Sequence, residues 1–134
     1  MDESVVIQIQ KEDDIIIARK IAREFAQEIN LDITNKARIL TAVSELARNI
    51  YRYAETGQIK VEVVEEAYKA GLRITAVDNG PGIKDIRKAM ERGYSTSGSL
   101  GAGLPGVEIM MDEFSIESSK HNGTKISITK WQVK

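Results

Sequence analysis

The chain has no cysteine, one histidine and two prolines among its 134 residues. Without cysteine, disulfides, thiolate catalysis and cysteine-ligated metal sites are excluded. The formal net charge is −1, which gives no electrostatic basis for binding nucleic acid or an anionic membrane surface. The sequence also lacks the apolar core of a signal peptide and any apolar run of about 18 residues. We therefore expect a cytoplasmic protein that binds neither nucleic acid nor a membrane.

The length suits one domain, and we predict a single domain over residues 1–134. Alternation of apolar and polar residues predicts strands at 4–10, 58–65, 72–78, 114–119 and 124–131. Helical periodicity predicts helices at about 13–30, 35–54, 83–92 and 104–111. Because the loops inside the last two strand pairs are too short for crossover helices, these strands should pair antiparallel. The expected fold class is an α/β two-layer sandwich, with a mixed, mainly antiparallel sheet and helices on one face.

Two helices show an apolar stripe at helical spacing. The first is expected to begin at a cap formed by Asp13 or Asp14 and the second at one formed by Thr34 or Asn35. The stripe of the first helix is predicted to be Ile17, Ile21, Phe25 and Ile29. The stripe of the second is predicted to be Ile39, Val43, Leu46, Ala47, Ile50 and Ala54.

The stretch AVDNGPGI, residues 76–83, places an acid at the end of a predicted strand and follows it with two glycines and a proline. Asn-Gly and Pro-Gly are common turn dipeptides, so one interpretation is a simple turn. The other is a ligand site, in which Gly80 and Gly82 let the backbone lie against a flat ligand and Asp78 accepts hydrogen bonds from its edge.

The helical stretch SELARNIY, residues 44–51, places Glu45 and Asn49 one turn apart on the same face. They could form a solvated polar edge, to which Arg48 and Arg52 would also belong. Alternatively, Glu45 is a carboxylate base beside an Asn49 amide oxygen that holds Mg²⁺, an ion that needs few protein ligands.

Two further glycine-rich segments could contribute to the same site. Gly101 and Gly103 precede a predicted helix, and amides at such a turn can bind phosphate, although a short Gly-x-Gly often marks flexibility only. Gly123 and Thr124 begin the last strand, where they could simply mark the turn of the hairpin. If the two strands are neighbours, Thr124 would add a hydroxyl beside Asp78.

In this order, these motifs resemble the Bergerat-type (GHKL) ATP-binding fold of gyrase-type ATPases, MutL proteins and two-component histidine kinases. The resemblance runs from about residue 34 to 131. Within that superfamily, SELARNIYRYA, DNGPGI and STSGSLGAGLPGV are most similar to the small anti-sigma-factor serine/threonine kinases that act as stressosome switches.

The resemblance implies a role for each matching residue. Asp78 would recognise the adenine amino group, with Thr124 beside it and with Gly80 and Gly82 giving the ring access. Asn49 would coordinate Mg²⁺, and Glu45 would be the general base. The second glycine segment would follow the triphosphate of ATP; its predicted contacts are Ser97, Gly98, Ser99, Gly101, Ala102, Gly103 and Leu104.

The resemblance also implies partners. The substrates would be STAS-domain scaffold or antagonist proteins phosphorylated on Ser or Thr, and the released kinase would activate a PP2C-type phosphatase regulator. One departure is that residues 93–119 contain no Lys or Arg, whereas several relatives place a cation in this loop. Either turnover is slow or the bound partner completes the site. The missing cation also motivates an alternative, a nucleotide-gated protein-binding switch with little or no phosphotransfer. A third possibility is an ATPase domain of a larger machine.

Overall fold

The computed structural model describes residues 4–54, 56–80, 103–118 and 123–132. The described strands are β1 (Ser4–Ile9), β2 (Gly57–Glu66), β3 (Lys69–Asp78), β4 (Glu113–Ser118) and β5 (Thr124–Trp131). The described helices are α1 (Asp13–Glu28), α2 (Ile33–Asn49), a π-helix (Ile50–Ala54) that continues α2, and α3 (Gly103–Met110). The predicted helix at 83–92 lies outside the described residues.

The five described strands form one sheet in the order β1-β2-β3-β5-β4, and every pairing among them is antiparallel. Along each strand, alternate side chains point towards the helices and form the core. Ile59, Ile74 and Ile128 are fully buried there. The other face carries polar residues such as Lys60 and Thr75. The predicted sandwich, with helices on one face of a mainly antiparallel sheet, is confirmed.

The expected stripes are only partly confirmed. In α2, Ile39, Val43, Leu46 and Ala47 are buried, as is Ile50 in the π-helix, whereas Ala54 is only partly buried. Of the stripe expected for α1, Phe25 and Ile29 are buried. In α1 the buried positions are Ala18, Ala22, Phe25 and Ala26, whereas Ile17 remains 47% exposed and Ile21 is only partly buried. The prediction for Ile17 was therefore wrong. Small alanines let α1 approach its neighbours closely, so the helix turns its alanine face to the core.

The helix starts also differ from the predicted caps. Asp32 caps α2, since its Oδ1 accepts a hydrogen bond of 2.7 Å from the Asn35 amide. The predicted caps Thr34 and Asn35 instead lie inside the helix. At α1 the N-cap is Glu12, whose side chain makes no capping hydrogen bond, and the predicted caps Asp13 and Asp14 lie in the first turn of the helix. Asp14 Oδ2 accepts from the amides of Gln10 and Lys11 at 2.9 and 3.0 Å. These hydrogen bonds, that of Gln10 first, lower the pKa of Asp14.

A buried lysine ties the end of α3 to β5. Lys130, 7% exposed, donates from Nζ to the Met110 carbonyl at 3.0 Å and to Asp112 Oδ1 at 3.3 Å. Asp112 Oδ2 in turn accepts from the Trp131 amide at 2.8 Å. The cation thus satisfies a helix-terminal carbonyl and holds α3 in register with the sheet.

We predict that Lys130→Ala destabilises the fold by about 1–2 kcal/mol, because it leaves the Met110 carbonyl without this donor. The carboxylate of Asp112 is 39% exposed, so its share of the loss is screened by solvent. The control Lys125→Ala removes an exposed lysine from the same strand and should change stability by less than about 0.5 kcal/mol. Urea unfolding measures both; equal losses would contradict the role of Lys130.

None of the helices in the described residues is long and apolar enough to cross a membrane.

Candidate functional site

A row of residues crosses the sheet at the end of β3 and brings together polar groups distant in the sequence. Asp78 pairs with Gly57 of β2 on one side and with Thr124 of β5 on the other, and Thr124 pairs with Ser118 of β4. The two strands that carry Asp78 and Thr124 are therefore neighbours, which is the condition for Thr124 to stand beside Asp78. Asp78, Ser118 and Thr124 line a pocket of roughly 310 Å³ at this end of the sheet.

The carboxylate of Asp78 is oriented by its own turn. Its Oδ1 accepts a hydrogen bond of 3.0 Å from the Gly80 amide, the geometry by which Asp stabilises a turn two residues on. The turn interpretation of DNGPG and the ligand interpretation are therefore compatible. The turn fixes one oxygen of the carboxylate and orients the other.

Gly80 is required by packing against the π-helix. A Cβ at this position would lie 2.6 Å from Ala54 Cβ and 2.8 Å from Ala54 Cα. Gly57 is similarly enclosed, since a Cβ there would lie 2.8 Å from Ile50 Cγ2 and 3.0 Å from Asp78 Cβ. The end of α2 and the end of β3 thus meet with almost no space between them.

Gly123 has a different requirement. Its φ of +74° is in the left-handed region, and a Cβ would lie 2.2 Å from the Asp78 carbonyl oxygen. Only glycine can therefore turn the chain into β5 this close to Asp78.

Helix α2 presents Glu45 and Asn49 at its C-terminal end. Glu45 is only 2% exposed, and its Oε1 lies 3.1 Å from Nη1 of Arg48, which is 32% exposed. A buried carboxylate requires such a partner. Arg48, expected at a solvated edge, is instead the ion-pair partner of the predicted base. Sequence reasoning missed this pair, although the i, i+3 spacing was visible.

Asn49 is the last residue of α2 and directly precedes the π-helix, a rare geometry that often occurs at functional sites. Its side chain amide is partly exposed. Within the ranges that the structure describes, no cluster of three or more His, Asp or Glu could hold a metal ion. An amide oxygen as a lone protein ligand fits Mg²⁺, which keeps water and phosphate oxygens in its other positions.

The second glycine segment is described only from Gly103 onward. Gly103, with φ of +68°, begins α3, and the side chain of Leu104 is buried in the core. Leu104 could therefore contact a phosphate only through its backbone amide. The other predicted residues, Gly82, Ser97, Gly98, Ser99, Gly101 and Ala102, lie outside the described residues.

Ser118 is a site residue that the sequence analysis missed. Its Oγ lies 2.8 Å from the Gly123 carbonyl oxygen and 2.8 Å from Thr124 Oγ1. The predicted hairpin of β4 and β5 could have indicated it, but only with the register that pairs Ser118 with Thr124.

The family model of the histidine kinase-like ATPase domain matches residues 10–130, and the chain belongs to this family. The predicted Bergerat-type fold and membership are confirmed. Among similar proteins, the chain is 53% identical over 131 residues to the serine/threonine-protein kinase RsbT of Bacillus subtilis (strain 168), covering 98% of both chains. The anti-sigma F factor of Clostridium botulinum (strain Eklund 17B / Type B) is 33% identical over 129 residues, or 91% of this chain and 89% of that protein. The predicted class, a serine/threonine kinase of the anti-sigma-factor type, is thereby confirmed.

Solved structures agree on the fold. The RsbU and RsbW domains of Rv1364c from Mycobacterium tuberculosis match 96% of this chain and 32% of that chain, with a TM-score of 0.67 and 16% identity. The mycobacterial sensor histidine kinase MprB matches with a TM-score of 0.55 and 17% identity, covering 98% of this chain and 97% of that chain.

We predict that Gly80→Ala destabilises the ligand-free protein by about 2 kcal/mol or more, because the new methyl group overlaps Ala54. Ala54→Gly alone should cost about 0.5–1 kcal/mol. In the double variant the loss should be smaller than the sum of the two, since one of the two clashing atoms is gone. Chemical denaturation without nucleotide gives the unfolding free energies of the wild type, the two single variants and the double variant. Strictly additive losses would show that Gly80 serves ligand access and not this packing.

Proposed function

We propose that this chain transfers the γ-phosphoryl group of ATP to a serine or threonine hydroxyl of a small STAS-domain partner protein. After release from that scaffold it would bind and activate a PP2C-type phosphatase regulator. The observation that carries the proposal is the contact between the two halves of the site. A Cβ at Gly57 would lie 2.8 Å from Cγ2 of Ile50, the residue after Asn49, and 3.0 Å from Cβ of Asp78. The end of the helix with the predicted general base and metal ligand is therefore close to the residue predicted to bind adenine.

The base-recognition end would use Asp78 and Thr124. With Oδ1 of Asp78 engaged by the Gly80 amide, Oδ2 is the oxygen that would accept from the adenine amino group. The amides at the start of α3 would face the phosphates, because backbone N–H groups at a helix N-terminus favour anions.

The transfer end would use Glu45 and Asn49. Glu45 would accept the proton of the partner hydroxyl, whose oxygen forms a bond to the γ-phosphorus as the bond to the oxygen of ADP breaks. Mg²⁺ held by Asn49 would neutralise phosphate charge. Arg48, 3.1 Å from Glu45, is the described cation closest in the chain to both residues and would orient the base and add positive charge, in place of the cation that residues 93–119 lack.

The nucleotide-gated switch remains the second candidate, and the burial of Glu45 favours it. A base that is 2% exposed reaches a partner hydroxyl only if binding of the partner opens a path to it. If no partner does so, nucleotide would control binding without phosphotransfer.

We predict that Asn49→Ala and Asp78→Asn each lower phosphotransfer to a purified STAS-domain protein by roughly 100-fold or more, the cost of losing one charge-stabilising or positioning group. Gln27→Ala, an exposed amide on α1, is the matched control and should retain wild-type transfer. The measurement is label transfer from γ-labelled ATP, with mass spectrometry to locate the phosphoserine or phosphothreonine. Equal transfer by all four proteins rejects these residue assignments. Nucleotide-dependent partner binding without any phosphoprotein would establish the switch instead.

We also predict that Arg48→Ala lowers the rate of transfer about tenfold or more while ATP affinity stays within about twofold, because Arg48 acts on the base and the transferring group. Arg23→Ala removes an exposed arginine from α1 and should leave both quantities unchanged. Single-turnover rates and calorimetric affinities separate the two effects. A loss of affinity without a loss of rate would contradict a role at the base.

A further inference from the structure

The hydrogen bonds at the end of β4 and β5 form a short directed chain. Ser118 Oγ donates to the Gly123 carbonyl oxygen at 2.8 Å, and Ser118 Oγ and Thr124 Oγ1 are also 2.8 Å apart. A serine hydroxyl has one proton, and a carbonyl oxygen can only accept. Since the Ser118 proton is directed to Gly123, the proton between the two hydroxyls must come from Thr124.

The direction of this chain decides what Thr124 offers to a ligand. Its own proton points to Ser118, so the remaining function of Thr124 Oγ1 is to accept hydrogen bonds through its lone pairs. Thr124 pairs directly with Asp78 across β3 and β5, and both line the same pocket. The carboxylate of Asp78 is also an acceptor. Asp78 and Thr124 therefore present two neighbouring acceptors in this pocket. A nucleobase that binds there must offer a hydrogen-bond donor to them.

We propose that Ser118 is a positioning residue for nucleobase specificity: by holding the Thr124 hydroxyl as an acceptor, it selects a 6-aminopurine over a 6-oxopurine. This inference rests on the ATP site of the proposed function. The amino group of adenine donates to both acceptors, whereas the oxygen at position 6 of hypoxanthine or guanine would meet them with lone pairs. Asp78 and Thr124 are partly buried, and a bound base would cover them further. Acceptors that a ligand covers without donating to them are costly, so such a site rejects the wrong group.

Gly123 supplies the carbonyl group that accepts the Ser118 proton. Its left-handed φ of +74° directs the carbonyl to Ser118, and its missing Cβ allows the turn to lie against the Asp78 backbone. The strand that carries Thr124 thus also carries the group that fixes the hydroxyl direction.

The test compares the affinities of ADP and inosine diphosphate, which differ at the amino group and cannot donate a γ-phosphoryl group. Wild type should prefer ADP. In Ser118→Ala the Thr124 hydroxyl can rotate and donate to the oxo group, so the ratio of the two dissociation constants should fall about fivefold, the size of one neutral hydrogen bond. Ser118→Thr keeps a hydroxyl and should retain the wild-type ratio. Ser115→Ala, an exposed serine of the same strand, should do the same. Calorimetry with Mg²⁺ measures all four.

A second comparison separates this role from a structural one. In a Thr124→Val background the acceptor is gone, so Ser118→Ala should no longer change the ratio. If Ser118→Ala fails to fold, Ser118→Val, which suits a strand, takes its place against Ser118→Thr. An unchanged ratio in Ser118→Ala, or an equal change with and without Thr124, overturns the inference while leaving the kinase proposal intact. Wild type that binds neither nucleotide at millimolar concentration overturns both.

Discussion

The close approach of the α2 end to the β3 end is the constraint on which the candidate site depends. At Gly57 and Gly80 the facing atoms of Ile50, Ala54 and Asp78 leave no room for a Cβ. This approach brings Asn49 and Asp78, which are carried by different layers, to one end of the sandwich. The glycines therefore allow the two elements of the site to pack together. Any larger residue at these positions would move Asn49, the predicted metal ligand, away from Asp78, the residue predicted to bind adenine.

The local part of the fold could be predicted from the sequence, because strand alternation and hairpin length depend on neighbouring residues. The pairing of β3 with β5 could not, since it joins segments separated by most of the second half of the chain. The exposure of Ile17 had the same origin: the periodicity identified a helix, but which face is buried depends on how closely alanines let it pack. In the site, Asp78 and Thr124 were identified as candidates, while their adjacency remained a condition that only the register could satisfy.

The two site features that sequence reasoning missed, Arg48 and Ser118, share a physical explanation. Each contacts another polar residue of the candidate site, Glu45 in one case and Thr124 in the other. A motif identifies the residue that faces the ligand, whereas the residue that orients it is defined by burial and by the direction of a proton. Ion pairs and hydroxyl hydrogen bonds are stronger where they are shielded from solvent. Solvent exposure depends on how the helices pack on the sheet, which the local sequence does not determine.

The pairing of β3 with β5 also has a consequence for how the chain reaches its folded state. Asp78 and Thr124 belong to strands whose union closes a long segment, and the entropy lost in that closure must be repaid by contacts made afterwards. A nucleotide that contacts both Asp78 and Thr124 would hold the ends of the two paired strands together. Occupancy would then lengthen the lifetime of the sheet as a whole, so the cellular level of adenine nucleotide would set how often this end of the protein opens to proteases.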